Sequence, residues 1–192
     1  MPKSKSDSDI KTPAFGSLTH EDIKYLFKTV INIVEPSHPY HYEPYPVNES
    51  EIDYSYKKKN SSYYASCGPR KNRNTVVGFS ADKYYFNHSS PEHILGILVH
   101  EVTHVTVGRH SSVESGSHPP RFWREFGFNA HIMLDSWDEV EQTFGPVSKR
   151  NFIGNIIKNE VTTFNIDNRY GSEMLRKQEM ARWFKNTLKN EK

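Results

Sequence analysis

The residues of this chain best suited to chemistry are His100-Glu101-Val102-Thr103-His104. On a helix, two histidines four residues apart project from one face, a single turn from each other. Two imidazole nitrogens at that spacing can reach one Zn²⁺ at about 2.0–2.1 Å each. Glu101 adjoins the first histidine, where its carboxylate can take a proton from water without being a ligand. Zinc lowers the pKa of bound water to about 7 and polarises a carbonyl, while the carboxylate carries the proton to a leaving amine. The alternative is a pair of core histidines bonded to carbonyls, with Glu101 in a salt bridge. Against it stands the apolar setting, where two imidazoles and a carboxylate are costly without a partner.

A catalytic zinc site keeps three protein ligands and one open position, so a third donor is needed. His118 lies just ahead of Pro119-Pro120 and Phe122-Trp123, after a loop able to fold back over the ion. His110 is its rival, six residues past His104. That spacing coincides with the third histidine of the metzincin pattern, but Gly108 stands one place later than the pattern requires and no Met-turn follows. His88, His93 and His131 read as surface or supporting residues. From the residues alone the choice between His118 and His110 stays open.

The elements that must position these groups carry local signals. Ser90-Pro91-Glu92 is a helix start: an N-cap serine, proline at the first helical position, and an acid in the first turn. Ile94, Leu95, Ile97, Leu98, Val99, Val102 and Val105 cover almost the whole circumference that follows, which predicts a buried helix ending near Gly108. A polar loop, Arg109 to Ser117, leads to a second helix running to about Asp135. Ahead of the motif, a helix is expected over Leu18–Val34. Thr19 and Asp22 cap it, Ile23, Leu26, Phe27, Val30, Ile31 and Val34 form its apolar face, and Glu35-Pro36 marks its end. Residues 36–60 read as loop with room for one short strand. Strands are expected at Ser62–Ser66, Thr75–Phe79 and Lys83–Phe86, the last two separated by a break at Ser80-Ala81-Asp82. Lys149–Phe164 and Glu173–Leu188 read as amphipathic helices.

Composition narrows the class. The 192 residues suit one domain with a real core. Twenty-five basic against 23 acidic residues leave a net charge of +2, too little for a dedicated nucleic-acid coat or membrane-surface binder. Two local features bear on nucleic acid. The basic turn Gly68 to Asn74 offers phosphate contacts or a solvated hairpin tip. Tyr40, His41, Tyr42 and Tyr45 offer a stacking platform or, more simply, a proline-rich loop packed on the domain. Cys67 is the sole cysteine, which excludes an internal disulfide and any cysteine-based zinc ribbon. With no apolar leader at Met1 to Asp9 and no bilayer-length apolar stretch, an intracellular, cytoplasmic protein of a reducing compartment is expected, without membrane contact.

The run Leu98-Val99-His100-Glu101-Val102-Thr103-His104, a loop, and then Gly116-Ser117-His118-Pro119-Pro120-Arg121-Phe122-Trp123 resembles the SprT-like (Spartan-type) zinc metallopeptidases. In that family an HExxH helix is followed, about a dozen residues on, by a third histidine opening the next helix. The resemblance covers roughly residues 18–135. It implies His100, His104 and His118 as ligands of one Zn²⁺, Glu101 as the general base, and protein or peptide substrates, often DNA-bound in the Spartan branch. Pro119 stands where the family usually has glycine, its frequent C-terminal zinc ribbon is absent, and residues from Gly145 onward match nothing in it. Related peptidase families place the third histidine nearer, as His110 is, directly before a Phe-Trp pair; here that pair follows His118.

The expectation is thus a zinc-dependent metalloprotease of α+β class. A single zincin-like domain (residues 17–144) would have helices packed on a small, partly antiparallel sheet, preceded by a disordered tail (1–16). A helical C-terminal extension (145–192) would pack on the same domain. An edge strand near Val76 to Phe86 would pair with extended substrate, and Tyr84, Tyr85 or Arg121 are the oxyanion candidates. The competing expectation is a non-catalytic module, stabilised by zinc, that binds protein or nucleic acid.

Overall fold

The computed structural model describes residues 12–37, 52–57, 64–69, 77–108, 118, 120–161 and 171–190. They form an α+β arrangement of helices on a small mixed sheet. In chain order the elements are α1 (His20–Ser37), β1 (Ile52–Lys57), β2 (Ala65–Pro69), β3 (Val77–Asp82), α2 (Lys83–Asn87), α3 (Pro91–Gly108), α4 (Pro120–Asp135), α5 (Trp137–Phe144), α6 (Lys149–Asn155) and α7 (Gly171–Asn190). A π-helical turn, Ile156–Val161, continues α6.

Helix α1 starts with a reciprocal cap. The Asp22 carboxylate accepts the Thr19 N–H at 2.8 Å, and Thr19 Oγ1 accepts the Asp22 N–H at 3.2 Å. All six residues of its expected apolar face are buried. The helix runs on to Ser37 rather than stopping at Glu35-Pro36, because a proline in the final turn removes only one N–H from the ladder.

Strand β3 is the centre of the sheet, in the order β1-β3-β2, parallel to β1 and antiparallel to β2. All six of its residues are buried. Two expectations are corrected here. The segment near Val76 to Phe86 is not an edge strand, and Lys83–Phe86 is not a strand at all. The chain stays extended through Ser80-Ala81-Asp82, and the Asp82 carboxylate then accepts the Tyr85 N–H at 2.9 Å, capping α2. A local cap thus overrides the β-propensity of Tyr84, Tyr85 and Phe86. Phe27 of α1 stacks on Phe79 at 4.1 Å and meets Tyr54 edge-on at 5.9 Å, so the sheet and the first helix share one aromatic core.

Helix α3 is the axis of the molecule. Ser90 Oγ accepts the His93 N–H at its start, and its apolar residues are buried on every side. It packs against α1, α4, α6 and β2. Glu92, buried in its first turn, accepts the Ser148 N–H at 3.2 Å, which ties the start of α6 to α3. Helix α7 lies on α4, contributing buried Met180 and Phe184. Of residues 1–16, positions 1–11 fall outside the described residues. Pro13 is buried, and Phe15 stacks on Phe144 at 6.0 Å. The Tyr40 to Tyr45 cluster, residues 70–74 of the basic turn and the Arg109 to Ser117 loop with His110 also fall outside the described residues. Among the described residues, no helix is long and apolar enough to cross a membrane.

Candidate metal centre

His100 and His104 lie one turn apart on α3, and His118 comes to them from the other side, two residues before α4 begins. Their Nε2 atoms form a triangle with sides of 3.2 Å (His100–His104), 3.0 Å (His100–His118) and 3.2 Å (His104–His118). Of the two candidates for a third donor, the structure places His118 in the group.

Three imidazole nitrogens meeting at one point cannot satisfy one another, since a neutral ring has a single N–H and each nitrogen here faces two others. A cation resolves this by taking all three lone pairs. Tetrahedral zinc with nitrogens at about 2.0–2.1 Å requires nitrogen–nitrogen distances of about 3.3–3.4 Å. The observed triangle is within a few tenths of an ångström of that. The residues therefore fit a metal ion, and the three histidines are a group able to hold one.

The surroundings keep the His104 ring neutral and all three rings in place. His100 is buried, and His104 and His118 are half-buried. Burial, and then the adjacent His100 and His118, lower the pKa of His104 from 6.5 to about 2. Its ring therefore keeps a lone pair at any physiological pH. Phe122, fully buried on α4, touches all three imidazoles, with ring centroids 4.8, 4.6 and 4.5 Å from those of His100, His104 and His118. Trp123 packs against His118 at 5.5 Å, and Phe126 against His100 at 5.9 Å. The Phe122-Trp123 pair that follows His118 in sequence is thus the bed on which the histidines rest.

Glu101 is buried, at 5% exposure, and stands outside the group of mutually close donor atoms. The remaining candidates lie elsewhere. His93 meets the Tyr85 hydroxyl at 3.2 Å, and His88 Nδ1 donates to the Tyr84 carbonyl at 2.7 Å. His131 pairs with Asp135 at 3.3 Å. The Tyr85 hydroxyl is held by His93, which precedes His100 by about 10 Å along the helix axis. Tyr84, more than half exposed, stacks on His88 at 4.0 Å instead. The Arg121 side chain lies outside the described residues.

Sequence reasoning missed one contact. Asn129, in the middle of α4, donates from Nδ2 to Thr103 Oγ1 at 3.0 Å, inside the motif itself. A lone asparagine among aromatic residues carries no spacing signal that would announce it. Comparison with family models, curated proteins and solved structures yields no match for this chain.

Proposed function

We propose that this chain is a zinc-dependent metallopeptidase of zincin type. His100, His104 and His118 hold the ion, and Glu101 is the general base. The observation that carries the reading is the Nε2 triangle of 3.0–3.2 Å on a buried helix, with a buried carboxylate at the next residue. Zinc, when bound, supplies Lewis acidity toward water and a substrate carbonyl. Glu101 accepts the proton of the attacking water and returns it to the leaving amine. Glu101 is buried on α3, and a low-dielectric setting strengthens each charge interaction the carboxylate makes. Phe122 and Trp123 hold the imidazoles against rotation. The likeness to SprT-like peptidases rests on the spacing of His100, Glu101, His104 and His118 and on the helix that opens after His118.

An extended peptide is the substrate form that suits the sheet. Among the described residues β2 is an edge strand, and it packs beside α3, so a substrate strand added there would run past the metal helix. This role passes to β2 from the segment near Val76 to Phe86, which is central.

Glu101→Gln tests the assignment. It keeps the shape of the side chain and removes its basicity, so the protein should bind zinc as the wild type does. It should lose casein hydrolysis by about 10²–10⁴-fold, the range for a general base. Hydrolysis that survives the substitution disproves the base assignment, and wild-type protein that binds zinc but cleaves no unstructured substrate disproves the peptidase reading.

A further inference from the structure

Thr103 and Asn129 are both fully buried. The Thr103 hydroxyl donates to the Val99 carbonyl at 2.8 Å and accepts from Asn129 Nδ2 at 3.0 Å. Since its proton is committed to Val99, only the amide NH₂ of Asn129 can face it. Asn129 Oδ1 is then left buried without a hydrogen-bond partner among the described residues. A half-satisfied buried amide lowers stability, and a leucine would pack α4 on α3 at less cost. Packing alone therefore does not account for asparagine at this position.

A directional bond between the helices also fixes how far one slides or turns along the other, which an apolar contact leaves loose. The two helices joined by this bond are the ones that bring the three imidazoles together. α3 carries His100 and His104, while α4 begins two residues after His118. Asn129 sits nine residues into α4, about 13.5 Å along the rod. We propose that Asn129 is a positioning residue: its bond to Thr103 sets the register of α4 on α3 and so places His118 against His100 and His104. The inference rests on the metal reading above. Functional constellations require placement to within about 0.5 Å, and sliding one packed helix along another moves its end by more than that.

The test uses the full chain and four variants: Asn129→Leu, Thr103→Val, the two combined, and Thr103→Ser. Zinc affinity is read by competition with a chromophoric chelator, site geometry by the visible absorption of bound Co²⁺, and fold by the melting temperature of metal-free protein. Asn129→Leu and Thr103→Val should each weaken zinc by about 10–100-fold, as loss of supporting hydrogen bonds does, and should change the Co²⁺ spectrum. Metal-free Asn129→Leu should melt at or above the wild-type temperature. The double variant should bind no more weakly than either single one, because both remove the same bond. Thr103→Ser keeps the hydroxyl and should restore wild-type affinity and spectrum.

Unchanged affinity and spectrum in both single variants, or additive losses in the double one, overturn the inference. If Asn129→Leu does not fold, Thr103→Val against Thr103→Ser decides by the same criteria. A wild-type chain that takes up neither ion overturns the metal reading together with this inference. Tight wild-type binding with unaffected variants overturns the inference alone.

Discussion

Replacing His118 by alanine removes the nitrogen that lies 3.0 and 3.2 Å from the other two. A structural zinc site in a small peptide is worth about 10–16 kcal/mol in all, or roughly 2.5–4 kcal/mol for each of four ligands. Loss of one donor should then weaken binding by about 10²–10³-fold. Only the native chain assembles the three nitrogens, so zinc in fixed excess raises the unfolding free energy by RT ln(1 + [Zn]/Kd). A 10²–10³-fold weaker Kd subtracts about 2.7–4.1 kcal/mol from that gain. In a chain of 192 residues this amounts to about 5–16 °C of the zinc-induced rise in melting temperature. Metal-free His118→Ala should melt close to metal-free wild type, because relief of three crowded lone pairs offsets the packing that the imidazole makes on Phe122 and Trp123. Differential scanning calorimetry with chelator and with zinc gives both numbers, and His110→Ala serves as the comparison. If His118→Ala keeps the full zinc-induced rise, or His110→Ala loses it, the choice of third ligand is wrong.

Two further outcomes concern pH. The Tyr56 hydroxyl donates to the Leu18 carbonyl at 3.0 Å and accepts from Asn87 Nδ2 at 3.3 Å. Burial is the main cause that raises its pKa from 10.0 to about 12. In that window the folded chain keeps a proton that the unfolded chain loses, so stability is whole below pH 10 and falls as pH rises toward about 12. Tyr56→Phe should cost about 1–2 kcal/mol in urea unfolding at neutral pH; if its alkaline limb matches that of the wild type, the assignment is wrong. On the acid side the sign reverses. His104 titrates near 6.5 when unfolded and near 2 when folded, so the unfolded chain binds more protons between those values. Metal-free stability should be complete above about pH 6.5 and decline below it, with His104→Gln showing the shallower decline. Equal slopes for the two proteins in urea melts from about pH 8 to about pH 5 would contradict this.

Features held within a few residues were legible in the sequence. The Thr19–Asp22 cap, the Ser90-Pro91-Glu92 start and the shared face of His100 and His104 depend on helical geometry alone, which repeats every 3.6 residues whatever surrounds it. Two local signals misled: the Glu35-Pro36 stop, which α1 passes to reach Ser37, and Lys83–Phe86, where the Asp82 cap prevailed over aromatic β-propensity. Propensity of this kind reflects packing on a sheet rather than a preference of the backbone itself.

Whatever depended on distant parts of the chain had to await the fold. The central place of β3 comes from pairing with strands before it on both sides, and the pattern within Val77–Asp82 does not encode which neighbours it will have. Spacing alone left His118 and His110 both open, because a loop of unspecified path separates each from His104, and only the family resemblance pointed to His118; the packing of α4 on α3 accompanies His118 at the triangle. The same packing joined Asn129 to Thr103, 26 residues apart. The motif supplied two imidazoles and a carboxylate by helical spacing, and the packing of a second helix supplied the third imidazole and the bond that holds it in register.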